Sequence, residues 1–98
     1  MFYVYVLKSR KDGLCYIGST SDLRRRFCEH NDGCVQSTKS RLPLDLIYYE
    51  AYRSEKDART RESNLKLKSR AYAQLYKRIM YSMKDILSDR AKGCVVGD

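Results

Sequence analysis

Five side chains in this chain have the types and spacing to share one reaction: Tyr5, Tyr16, Arg26, His30 and Glu62. The stretch from Tyr16 to His30 reads YIGSTSDLRRRFCEH and holds the only histidine, four positions beyond the last of three consecutive arginines. A guanidinium turned toward the protein body can clamp charge developing on phosphoryl oxygens. A carboxylate in the same position must be offset by a cation, a hydrogen-bonding network or a metal, and its oxygens suit a hard divalent ion. With one histidine able to carry a proton and two tyrosines beside it, these groups describe phosphoryl transfer better than any other reaction class. Each also has a plain structural reading. Strand tyrosines usually pack, a lone helical histidine is usually hydrogen-bonded in place, an arginine run is usually a solvated face, and Glu62 has pairing with a nearby arginine as its alternative.

The elements that must position these groups follow from periodicity. FYVYVL places Phe2, Val4 and Val6 on one side and Tyr3, Tyr5 and Leu7 on the other, as expected of a buried strand. KSRKDG supplies a turn with Gly13 able to take positive φ, and LCYIG returns antiparallel, bringing Tyr16 near Tyr5 if the register allows. A helix follows from about Asp22, capped by Thr20 or Ser21 and stopped by the glycine of NDG. Leu23, Arg26, Phe27 and His30 share one of its faces, so Arg26 and His30 are inward while Arg24 and Arg25 look elsewhere. Beyond Pro43, LDLIYYEAY reads as a third strand. Ser54 then caps EKDARTRESNLKLKS, with Asp57 completing a capping-box-like start. On that helix Glu62 lies on the stripe between Ala58 and Leu65 and therefore faces the body of the protein. A last helix carries Tyr72, Leu75, Tyr76, Ile79, Met83, Ile86 and Leu87 on one face. The expected organisation is one domain over 1–88 with a loosely ordered tail over 89–98.

Twenty Lys and Arg against twelve Asp and Glu leave a net charge of +8, and six of the basic residues fall between Arg61 and Arg78 with Glu62 as the one acid. Such a surface favours a polyanion, most commonly nucleic acid. The apolar run Met1 to Leu7 is too short to span a bilayer, and its basic residues follow it, unlike a signal peptide. A cytoplasmic location is expected, with no membrane partner. The four cysteines are accordingly expected to be reduced. Cys28, His30 and Cys34 lack the paired spacing of structural zinc sites.

These motifs resemble the GIY-YIG nuclease family, specifically its small single-domain branch. YVY at 3–5 and YIG at 16–18 stand for the two name motifs, and YIGSTSDLRRRFCEH matches the family in both types and spacing. STKSRLPLDLIYYE and ARTRESNLKLKSR resemble two later blocks, the second containing Glu62, so that the likeness covers about residues 2–70. The opening glycine is replaced by Tyr3, and Gln74 stands where some family nucleases carry an asparagine. The resemblance implies an α+β fold, a small three-stranded antiparallel sheet flanked by helices. It also implies DNA phosphodiester hydrolysis with one divalent cation, Mg²⁺ or Mn²⁺. Tyr5 would be the general base or its relay for the attacking water, Tyr16 a hydrogen-bonding partner at the same site, Arg26 the phosphoryl clamp, Glu62 the metal ligand, and His30 the group that orients the base or shuttles its proton. Arg24, Arg25, Lys39, Arg41, Lys66, Lys68 and Arg70 are then candidates for phosphate contacts with branched or single-stranded DNA. A protein partner is expected to supply target specificity. The competing expectation is a nucleic-acid-binding module that keeps the fold and cleaves little by itself.

Overall fold

The computed structural model describes residues 1–67 and 70–88, the last four as backbone alone. Strand β1 (Phe2–Ser9) is followed by β2 (Cys15–Thr20), helix α1 (Leu23–Asn31), a 3₁₀ turn at Lys39–Arg41, β3 (Leu44–Tyr52), and helices α2 (Glu55–Lys66), α3 (Arg70–Arg78) and α4 (Met80–Ser88). The sheet is antiparallel in the order β2-β1-β3. A central strand covered on both faces needs no polar alternation, which is why FYVYVL is apolar throughout. Val4, Val6 and Ile17 pack with Ala58, Leu65, Leu75, Ile79 and Met83 on one face of the sheet. Tyr5, Leu7 and Leu44 pack with Tyr16, Leu23 and Phe27 on the other. Each large aliphatic side chain fully buried in these layers contributes about 1.5–3 kcal/mol.

Several boundaries differ from the sequence expectation. Asp22 itself caps α1, its carboxylate accepting from the Arg25 N–H at 3.1 Å, in place of Thr20 or Ser21. Ser54 stands at the N-cap position of α2 without a side-chain capping bond, and α2 ends at Lys66. The expected last helix is two segments that change at Ile79. The Ile79 N–H still bonds the Leu75 carbonyl and the Met83 N–H the Ile79 carbonyl, so the apolar stripe Leu75, Ile79, Met83 runs through the break. The side chains of Ile86 and Leu87, Lys68 and the tail 89–98 lie outside the described residues. A register shift between Val6 and Leu7 leaves Ile47 without a partner on β1 and turns both Ile47 and Tyr48 to the α2 side. Alternation alone would have sent one of them to the other face. Among the described residues no helix is long and apolar enough to cross a membrane.

Two glycines do different work. Gly13 takes φ +74° in the β1–β2 turn, in open space. Gly18 pairs with Tyr5 across the ladder, and a Cβ there would lie 2.5 Å from Tyr5 Oη and 2.7 Å from Cζ. Tyr5 is fully buried, so the ring has no room to retreat. Gly18→Ala is expected to cost about 1–3 kcal/mol by overpacking, and Gly13→Ala about 1 kcal/mol through backbone strain alone. Urea denaturation of the two variants checks this, and a milder effect at Gly18 than at Gly13 would contradict it.

Candidate active site

β1 and β2 present Tyr5 and Tyr16 on the same face of the sheet, and α1 lies over them with Arg26 and His30 turned inward. The register sets Tyr16 opposite Leu7, one step along from the Tyr5–Gly18 pair, so the two phenols meet diagonally with ring centroids 6.4 Å apart. His30 stands against both rings, at 5.7 Å from Tyr5 and 5.1 Å from Tyr16. Tyr5 Oη and His30 Nε2 share a hydrogen bond of 2.9 Å, and His30 Nδ1 shares one of 2.8 Å with Thr38 Oγ1. Tyr5, His30 and Thr38 are all fully buried. A neutral imidazole has one donor and one acceptor nitrogen, so the two bonds are coupled. When Nδ1–H donates to Thr38, Nε2 accepts from the Tyr5 hydroxyl.

Burial sets the proton affinities of this chain of groups. It pushes the Tyr5 phenol up to about 12, against the opposing influence of the Arg26 guanidinium. It pushes His30 down to about 4, and Arg26 adds to that effect. At neutral pH both groups are uncharged. Arg26 is half-buried and donates from Nη1 to Glu29 Oε1 at 3.1 Å, keeping the guanidinium beside the phenol.

Glu62 comes from the other layer. α2 packs Ala58 and Leu65 onto the Val4 face, and Ser19, paired with Val4, points to that face at edge strand β2. Ser19 Oγ donates to Glu62 Oε1 at 2.6 Å, and Lys66 Nζ lies 2.7 Å from Oε2. Desolvation works to raise the carboxyl, but its bonds to Lys66 and Ser19 outweigh it and hold Glu62 below the usual carboxylate range. The partner is therefore a lysine and a serine, where sequence reading offered an arginine. The same Lys66 ammonium is 6.0 Å from the Tyr16 ring centroid and joins the two halves of the site.

The matching model is that of the GIY-YIG catalytic domain, which aligns with residues 1–77. The chain belongs to the GIY-YIG family. It is 46% identical over 69 residues to a UPF0213 protein of Streptococcus pneumoniae, covering 69% of each chain. A UPF0213 protein of Bacillus pumilus is 34% identical over 91 residues, 92% of each chain. The solution NMR structure of a UPF0213 protein from Bacillus halodurans superposes with a TM-score of 0.52 at 31% identity, covering 90% of this chain and 98% of that one.

In this GIY-YIG domain the expected phosphate contacts differ in exposure and pairing. Arg24, Arg25, Lys39 and Arg70 are exposed. Arg41 is half-buried and donates from Nε to Asp12 at 3.1 Å, clasping the loop to the β1–β2 turn. Gln74 is exposed on α3, beside the buried Leu75. Tyr3, at the position of the missing glycine, pairs with Thr20 and Ala51 and stacks edge-on against Tyr49. Sequence reading missed Ser19, Thr38 and the Glu50 latch. Glu50 accepts from the Tyr48 and Tyr52 hydroxyls and from Arg61 Nε and Nη2, tying α2 to β3 one residue before Glu62. Thr38 lies in the quoted STKS block, but a threonine in a polar loop carries no signal of its destination.

The depressed His30 value makes a stability prediction. The unfolded histidine binds a proton near pH 6.5, the folded one only near 4, so stability is full above about 6.5 and declines as pH falls between these values. The loss is roughly 1–3 kcal/mol. Chemical denaturation at pH 7 and pH 4.5 measures it. His30→Gln should lose most of that dependence, and an unchanged pH slope in the variant would refute the assignment.

Proposed function

We propose that this domain is a DNA endonuclease that hydrolyses phosphodiesters at the β2 edge, with Tyr5, Tyr16, Arg26, His30 and Glu62 as its working groups. The observation that carries this reading is the buried Tyr5–His30–Thr38 hydrogen-bond chain with Arg26 beside it and Glu62 facing it from the opposite layer. A free Tyr5 phenolate at pH 7 would cost about 7 kcal/mol with a phenol near 12. Moving that proton outright to His30, from a group near 12 to one near 4, would cost about 11 kcal/mol. The cheaper route is a relay. Attacking water gives its proton to Tyr5 Oη as Tyr5 gives its own to His30 Nε2, while Thr38 accepts from Nδ1–H and fixes the tautomer. Water oxygen bonds to phosphorus, one P–O ester bond breaks, and the leaving oxygen takes a proton from solvent. Arg26 holds the phosphoryl oxygens as their charge develops.

Glu62 and Ser19 offer hard oxygen donors, and among the described residues no cluster of three His, Cys, Asp or Glu could hold a metal. One carboxylate, with waters and phosphate oxygens filling the remaining positions, is the donor set that Mg²⁺ or Mn²⁺ accepts. The ion, held by Glu62, would supply Lewis-acid neutralisation of the scissile phosphate. Arg24, Arg25 and Arg70 contribute sequence-independent phosphate contacts, and a protein partner supplies target choice. A binding module that does not cleave alone is the second reading. The occupied carboxylate favours it, since both oxygens of Glu62 are already engaged.

Purified protein incubated with branched, single-stranded and duplex DNA separates the two. Cleavage requiring Mg²⁺ and abolished by EDTA is expected. Arg26→Ala should lower it by about 10²–10³, and Glu62→Gln by at least as much. Binding without cutting, insensitive to both changes, would establish the module instead.

A further inference from the structure

The carboxylate assigned above to the metal already holds a cation of the protein's own. Lys66 lies one helical turn beyond Glu62, with Nζ 2.7 Å from Oε2, while Ser19 occupies Oε1. The ammonium also stands over the Tyr16 ring, within the range of cation–π attraction. The neighbouring cations of α2 are committed elsewhere, Arg59 to Glu55 and Arg61 to Glu50, each at 3.0 Å. The two partners are unequally held: the Glu62 side chain is 19% exposed and that of Lys66 50%. The carboxylate is thus fixed and the ammonium sits on its solvent side. Only the lysine end of the pair is open to solvent, and its four-carbon stem lets the ammonium swing away without disturbing the helix. A divalent ion on the same oxygen would lie within a few ångströms of Nζ and repel it.

We propose that Lys66 is the resident counter-cation of Glu62, displaced by the divalent ion and then available to a DNA phosphate, so that metal and DNA each promote binding of the other. This rests on the reading that Glu62 holds the metal. Before exchange the Glu62–Lys66 pair is neutral and Lys66 offers DNA little. After exchange the carboxylate carries the ion and the ammonium seeks a new anion in the same cleft. Linkage requires the effect to be reciprocal: the factor by which metal tightens DNA binding is the factor by which DNA tightens metal binding.

Tb³⁺ luminescence sensitised by tyrosine reads the metal site directly, because Tyr16 flanks it and the chain has no tryptophan. Lys66→Met is expected to bind Tb³⁺ about threefold to fivefold more tightly than the unaltered protein in the absence of DNA. Anisotropy of a labelled single strand, with Ca²⁺ or with EDTA, reads the second half. Lys66→Met should weaken DNA binding with Ca²⁺ and leave it unchanged in EDTA, and the salt slope with Ca²⁺ should fall by about one phosphate contact. Equal weakening in Ca²⁺ and EDTA, or unchanged Tb³⁺ affinity, would make Lys66 an ordinary surface contact and overturn the exchange. Glu62→Gln separates the two levels. If it abolishes the Tb³⁺ signal while Lys66→Met changes nothing, only the exchange falls; if Glu62→Gln keeps the signal, the metal reading falls and the exchange with it.

Discussion

A hydrogen bond between two fully buried polar groups, Tyr5 Oη and His30 Nε2, constrains much of this small domain. A phenol and an imidazole this deeply buried are each costly unless every polar atom finds a partner. The requirement propagates outward. Gly18 must lack a side chain for the phenol to cross the ladder, and Thr38 must be drawn in from its loop to satisfy the second imidazole nitrogen. The loop itself is tied down, with Ser9 Oγ donating to the Arg41 carbonyl and the Asn31 side chain bonding both N–H and C=O of Leu44.

The sheet separates charge as well as supporting it. Base-like and acid-like groups arrive from opposite faces and meet at the edge strand β2, so Glu62 contributes only a distant field at Tyr5. A carboxylate in direct contact with the phenol would raise its proton affinity further and compete for Arg26. Placing the acid on α2, behind the edge, keeps the guanidinium for the phenol side. The Glu50 network makes this arrangement rigid. Two tyrosine hydroxyls and a forked arginine saturate one carboxylate and fix the rotation of the helix that carries Glu62.

The count of twenty lysines and arginines overstates the cations free to meet a polyanion, although pairing leaves the net charge of +8 unchanged. Arg10, Arg41, Arg59 and Arg61 are matched to Asp45, Asp12, Glu55 and Glu50, and three of these four pairs bind loops or layers together. Arg24, Lys39 and Arg70 face solvent. Local sequence gives no means of sorting cations in this way, because partners such as Arg10 and Asp45 are 35 positions apart.

The sequence by itself determined the local elements and which face each functional group would take. Period-two and period-3.6 patterns depend only on backbone geometry, and they gave the three strands, the inward turn of Arg26 and His30, and the stripe position of Glu62. The family likeness likewise needed only linear spacing. Tertiary structure decided everything that depends on what lies opposite. It set the diagonal meeting of Tyr5 and Tyr16, the extra residue at Ile47, and the choice of Thr38 and Ser19 as partners. These are matters of register, desolvation and reach between segments distant along the chain. Desolvation also moved Tyr5 and His30 away from their ordinary proton affinities.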